Sequence, residues 1–165
     1  EGSMWKKKKR VIQVAGNPLY RTNVNRNQNL INPKTGTPLF GQYPSIATTR
    51  IQFEAGPIYL RYGEHHFTGH GWGMEHIWKA RFAFALTFEE ALPLVTSLVG
   101  KIISPGATIH YEFGTGSAAG RCAIFRSPTG IAIVERRLDG MNQIFYSVVT
   151  AIETTKVNGP VIGSI

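Results

Sequence analysis

The stretch that most constrains this 165-residue chain is its last third. Four segments rich in strand-forming residues, 108–113, 121–126, 131–138 and 143–154, follow one another closely. Turn formers separate them: Gly114-Thr115-Gly116-Ser117, Ser127-Pro128-Thr129-Gly130 and Asp139-Gly140-Met141-Asn142. Connections this short join antiparallel neighbours, because a parallel crossover needs roughly a dozen residues or more. An antiparallel meander is therefore predicted. On its last strand Ile144, Tyr146, Val148, Thr150 and Ile152 alternate onto one face, and apolar residues on both faces predict a covered position.

Upstream the apolar period changes. Met74, Ile77, Trp78, Phe82 and Ala85 form one helical stripe over 72–86, with His76 on the opposite side beside Lys79. Arg81 falls inside that stripe, so it is expected either to snorkel or to pair with a buried acid. Leu92, Val95, Leu98, Val99 and Ile102 form a second stripe. Thr87 and Glu90 have capping-box spacing, but Pro93 would lie inside such a helix, which starts either at Thr87 or near Pro93. Earlier still, Arg50-Ile51-Gln52-Phe53 alternates and Ile58-Tyr59-Leu60-Arg61-Tyr62 is rich in strand formers. Residues 11–49 are punctuated by Asn17-Pro18, Asn32-Pro33 and Tyr43-Pro44 and read as a linker. The expected architecture is α+β: two N-terminal helices packed on a four-stranded antiparallel β-sheet meander, with an irregular basic N-terminal arm over 1–49 and one folded domain over 50–165.

Charge narrows the partner class. Lys and Arg number 18 against 10 acids, a net charge of +8, and no acid stands between Gly2 and Phe53. A long single-sign region attracts polyanions, of which nucleic acid, an anionic membrane or an acidic protein are the usual kinds. The block Lys6, Lys7, Lys8, Lys9 and Arg10 also fits a basic tail with no specific task. No apolar run approaches the roughly 20 residues of a membrane helix, so a membrane-spanning segment is not expected. A single cysteine, Cys122, rules out a disulfide framework within the chain, and its apolar neighbours predict a small core residue.

Chemistry concentrates elsewhere. Four of the five histidines, His65, His66, His70 and His76, fall within twelve residues, among glycines, acids, bases and two tryptophans. Imidazole is the side chain best suited to moving protons near neutral pH. Cleaving RNA without a metal needs a base for the 2′-hydroxyl, an acid for the departing 5′-oxygen, and a cation or hydroxyl at the phosphate. His66, His70 and His76 could supply the first two, and Lys79, Arg81, Tyr146 and Thr150 the third. Gly69, Gly71 and Gly73 allow close backbone approach, and Trp72, Phe67 and Tyr62 offer stacking surfaces. His65 alone reads as an exposed loop residue, and His110 as strand packing. A metal site is the rival reading of the same histidines, with His66 and His70 four apart, yet the glycines oppose a helix there and no His-Glu-x-x-His motif is present. Gly114-Thr115-Gly116-Ser117-Ala118-Ala119-Gly120 lacks the Lys-Ser/Thr of a phosphate loop and reads as a hairpin close to Arg121.

The Gly-Pro-Ile-Tyr-Leu strand, the segment Gly71-Trp72-Gly73-Met74-Glu75-His76-Ile77 and the ending Val148-Val149-Thr150-Ala151 together resemble the barnase/EndoU/colicin/RelE superfamily of ribonucleases. The likeness is strongest to toxin domains at the C-termini of contact-dependent and other polymorphic bacterial toxins, and it covers residues 51–154. It implies a metal-independent endoribonuclease with no cofactor, acting on RNA and on tRNA in particular. It also implies delivery as a toxin into the cytoplasm of a target bacterium, and a cognate immunity protein, expected to be acidic against this chain's charge. Carried over, His76 is the helix-borne catalytic histidine, Thr150 the late-strand hydroxyl and His70 the second histidine. His66, Lys79 and Tyr146 join the catalytic candidates, and Arg81, Arg121 and Trp72 the substrate-binding ones. The competing readings are a non-catalytic basic nucleic-acid-binding module and a metal-dependent nuclease using the histidines as ligands.

Overall fold

A computed structural model describes residues 25–66, 69–113 and 122–165. Its frame is a seven-stranded mixed sheet in the order β1-β4-β10-β9-β8-β7-β11. The strands are β1 (Gly41–Tyr43), β4 (Gly56–Tyr59), β7 (Thr108–His110), β8 (Cys122–Ser127), β9 (Gly130–Leu138), β10 (Ile144–Ile152) and β11 (Val161–Ser164). Two small hairpins stand apart, β2 (Ile46–Ala47) with β3 (Gln52–Phe53) and β5 (Glu64–His65) with β6 (Gly71–Trp72). Helices α1 (Gly73–Arg81) and α2 (Phe88–Ile102) lie between β6 and β7.

This corrects the expected architecture. The meander β7-β8-β9-β10 is present, but it is the middle of a larger, mostly β structure, not a whole four-stranded sheet beneath two N-terminal helices. Three strands were not foreseen as members. β4 pairs in parallel with β10 through Tyr146↔Ile58 and Ser147↔Tyr59, β1 pairs antiparallel with β4, and β11 pairs with β7. The expected arm fails over 25–49 for the same reason: Leu30, Phe40, Tyr43 and Ile46 are buried in the common core. Asn and Pro between these residues mark turns of a packed chain. The Asn32 side chain, for example, accepts from Lys34 N and donates to the Leu39 carbonyl.

One face of the meander carries Ala123, Phe125, Ala132, Val134, Tyr146 and Val148, all buried with Val95, Val99 and Ile102 of α2. Each large apolar side chain removed from water in this way contributes about 1.5–3 kcal/mol. Tyr43 stacks on Tyr146 at 4.0 Å between ring centroids, with Phe53 and Phe125 edge-on or tilted around Tyr43. The expected alternation on β10 breaks midway. The register passes from Val148↔Val134 to Thr150↔Ile133, leaving Val149 as an extra residue in a β-bulge. Because side chains alternate with period two, one extra residue moves Thr150 to the opposite face from Tyr146.

Both helices begin as their local chemistry requires. Thr87 caps α2 by accepting from Glu90 N while the Glu90 carboxylate accepts from Thr87 N, a reciprocal pair whose hydroxyl half is worth about 1 kcal/mol. Pro93 is thus inside the helix. α1 has no side-chain cap; instead Met74 N and Glu75 N donate to the carbonyls of Arg61 and Tyr62. This seats the start of α1 against the end of the β4 segment. The approach demands glycine at Gly63 and Gly73, whose φ values are +72° and +79° and whose added Cβ atoms would strike the Trp72 and Arg61 carbonyls respectively. α1 ends at Arg81, short of the expected 86, and Trp78 Nε1 donates to the Leu86 carbonyl to hold the following turn.

Candidate functional site

α1 buries Met74, Ile77 and Trp78 and leaves His76 and Lys79 half-exposed on its other side. His76 faces the β5-β6 hairpin, where its Nδ1 lies 2.9 Å from Nδ1 of His65 and the two rings stack at 5.1 Å. Gly71, opposite His65 in the hairpin, makes this possible: a Cβ there would stand 3.0 Å from His76 Nδ1 and would strike the Glu64 carbonyl. Burial holds the His76 imidazole below its ordinary value, and His65, Arg81 and His70 add repulsion. His65 is likewise lowered, by burial first and by Lys79 and His66, with Glu75 opposing. Both rings therefore favour the neutral form.

Two neutral imidazoles joined Nδ1 to Nδ1 must be opposite tautomers, since one nitrogen donates and the other accepts. The donating ring then has a bare Nε2, and the accepting ring carries its proton on Nε2. A single pair thus presents one base and one acid at the same moment.

At the other end of α1, Arg81 leaves the apolar stripe and turns to β10. Its Nε donates to the Ala151 carbonyl at 3.1 Å and its Nη2 to Thr150 Oγ1 at 3.4 Å. The partner it required is a strand edge and a hydroxyl, not an acid. Pairing of β10 with β4 covers only Tyr146 and Ser147, so α1 flanks the strand beyond that point. The bulge at Val149 is what aims Thr150 at Arg81. A second arginine repeats the arrangement. Arg61 is 7 % exposed, donates from Nε to Ser147 Oγ at 2.9 Å and from Nη1 to Asn27 Oδ1, and lies 4.1 Å over the Trp72 ring. Burial pulls its guanidinium down to about 10, so it remains charged at neutral pH.

The expected site residues therefore divide. Arg81, which holds Thr150, stands close enough to act on His76, and Lys79 close enough to act on His65. Trp72 stands at the N-cap of α1 and stacks on Arg61 instead of lying open. His66 and His70 are exposed at the hairpin end, where His66 N donates to the His70 carbonyl. Tyr146 is corrected: it is wholly buried on the core face, its hydroxyl donates to the Glu54 carbonyl, and burial pushes its phenol well above the ordinary range. Arg121, Phe67 and the 114–120 loop lie outside the described residues. His65, read from the sequence as a bystander, is the direct partner of His76. Nothing in linear spacing marks it, because only the hairpin brings residues eleven apart into contact. Arg61 and Ser147 were also missed, although an arginine within an apolar strand run was a usable signal. His110 is structural, hydrogen-bonded to Thr108 Oγ1 and the Gly159 carbonyl.

Among the described residues, no group of three or more His, Cys, Asp or Glu side chains is placed to hold a metal ion. No helix among them is long and apolar enough to cross a membrane. None of the protein-family models, curated proteins or solved structures compared with the chain matches it.

Proposed function

We propose that this chain is a metal-independent endoribonuclease in which His65 and His76 act as one acid–base unit and Arg81 with Thr150 holds the reacting phosphate. The observation that carries the reading is the direct Nδ1 contact of His65 in β5 with His76, which stands on the same helix that delivers Arg81 to Thr150. The bare Nε2 takes the proton of a 2′-hydroxyl as O2′ attacks phosphorus. The shared proton crosses between the Nδ1 atoms, and the other Nε2–H protonates the departing 5′-oxygen. The products are a 2′,3′-cyclic phosphate and a free 5′-hydroxyl, and the two rings end with their tautomers exchanged. Arg81, always charged, offsets the negative charge that builds on the phosphoryl oxygens.

The motif resemblance to barnase/EndoU/colicin/RelE ribonucleases supports the same chemistry. On that resemblance we extend the proposal to tRNA as substrate, to a toxin delivered into a target bacterium and to an acidic immunity protein, which the net charge of +8 suits.

The deciding experiment incubates the purified chain with total RNA, with and without EDTA. Cleavage is expected to persist in EDTA and to leave cyclic phosphate ends, and His76→Ala is expected to lower the rate by roughly 10²–10⁴-fold. Cleavage abolished by EDTA, or a His76→Ala variant that cuts at the wild-type rate, would overturn the proposal. Binding of RNA without any product would favour the non-catalytic module instead.

A further inference from the structure

Beside the His–Arg site the sheet opens into a cleft of about 720 Å³ whose lining includes Asn27, Tyr59, Arg61, Arg137, Gln143 and Phe145. Nothing in the proposed cleavage chemistry uses it. We infer that this cleft is a nucleotide subsite, which binds a base and phosphate of single-stranded RNA to one side of the phosphate being cut; the inference rests on the ribonuclease reading for the identity of the strand.

Four observations favour a nucleotide. The volume lies within the usual range of small-ligand pockets, roughly 300–1,000 Å³. Two aromatic rings, Tyr59 and Phe145, stand 6.0 Å apart at a 47° tilt and are half-exposed, so they offer faces against which a base can stack. Two guanidiniums flank them. Arg61 is held rigid between Trp72 at 4.1 Å and Phe145 at 5.2 Å, with Nε and Nη1 occupied, while its Nη2 makes no hydrogen bond among the described residues. Arg137 is exposed and only loosely paired, 3.7 Å from Glu135. Finally, amide side chains such as Gln143 both donate and accept, as base edges require.

Position supplies the link to the site. Phe145, Ser147 and Thr150 share one face of β10 because the bulge restores Thr150 to it. Phe145 and Thr150 stand opposite Arg137 and Ile133, four positions apart on β9, so at about 3.3 Å per residue they lie about 13 Å apart along the strand. A short length of single-stranded RNA spans that distance, passing Arg61 on its way from the cleft to Arg81. The acids nearby do not close the cleft to an anion. Asp139 is engaged by the backbone N–H groups of Met141 and Gln143, and Glu135 leans on Arg137.

The test measures binding of a fully 2′-O-methylated oligoribonucleotide, which lacks the attacking hydroxyl, to the full chain at several salt concentrations. Arg137→Ala is expected to weaken binding several-fold and to reduce the slope of log affinity against log salt by about 1. Tyr59→Leu, which keeps the bulk but removes the π face, is expected to weaken it about tenfold with little change in slope. Wild-type affinity and slope in both variants, in a chain that still cuts RNA, overturn the subsite and leave the ribonuclease reading intact. Weakened binding by the variants of a chain that cuts no RNA keeps the subsite and removes the ribonuclease. A poly-glutamate peptide that binds with the same dependence on Arg137, where the oligoribonucleotide does not, overturns the inference in favour of an acidic protein partner.

Discussion

Tyr146 and Thr150 stand four residues apart on one strand and end in opposite worlds. Tyr146 is sealed in an aromatic cluster with Tyr43, Phe53 and Phe125, its hydroxyl spent on the Glu54 carbonyl. Thr150 is covered by an arginine that arrives from α1 beside a pair of stacked histidines. One face of the sheet is organised by apolar burial, and the other by guanidiniums landing on hydroxyls, Arg61 on Ser147 and Arg81 on Thr150. The difference teaches that a single extra residue, Val149, divides a folding surface from a chemical one.

Removing the arginine that covers Thr150 is the harshest way to break the comparison. Arg81→Ala strips Thr150 Oγ1 and the Ala151 carbonyl of their donor. Loss of RNA cleavage by roughly 10²–10³-fold is expected, together with a stability loss of about 1–3 kcal/mol read by urea unfolding, since buried acceptors are left without a partner. An Arg81→Ala variant of wild-type stability and rate would mean that the contact positions nothing.

A second pair of variants asks whether the two histidines form a unit. His65→Ala and His76→Ala are each expected to cost roughly 10²–10⁴-fold in kcat, and the double variant should fall no further. Losses that multiply would show two independent groups. On the core side the contrast is sharpened by Tyr146→Phe. It should cost about 1 kcal/mol through the lost hydrogen bond to Glu54 and leave kcat unchanged once the protein is folded. A large drop in kcat would return Tyr146 to the site.

The smallest effect is one of pH. His65 and His76 are both held below the ordinary imidazole value of about 6.5. As pH falls through that value the unfolded chain takes up protons that the folded site refuses, so stability declines, and it levels off below the folded values. The urea midpoint should therefore drop between pH 7.5 and pH 5, and His65→Gln should flatten the drop. An unchanged slope in that variant would place the acid sensitivity elsewhere.

Local features of the chain were readable before any contact was known. The meander follows from three short connections and period-two apolar residues, and both helices from period-3.6 stripes with Thr87 and Glu90 at the start of α2. His76 was recognisable because it sits off the stripe that buries Met74, Ile77 and Trp78. The added strands were not. A two-residue parallel pairing of β4 with β10 joins residues nearly ninety positions apart, and no local pattern encodes it. The same holds for the site, where an apolar stripe reports which side of a helix is buried but not what stands opposite the other side.

By itself the sequence determined the kinds of groups available, namely a histidine cluster, an excess of bases, a late strand with hydroxyls, and the secondary elements that carry them. Only the tertiary structure decided that His65 meets His76, that Arg81 finds Thr150 and that Tyr146 is lost to the core. The reason is physical. Periodicity and propensity act over a few residues, whereas the bulge at Val149, the glycine-lined approach of Gly63 to Gly73 and the docking of α1 on β10 are settled by packing between distant segments.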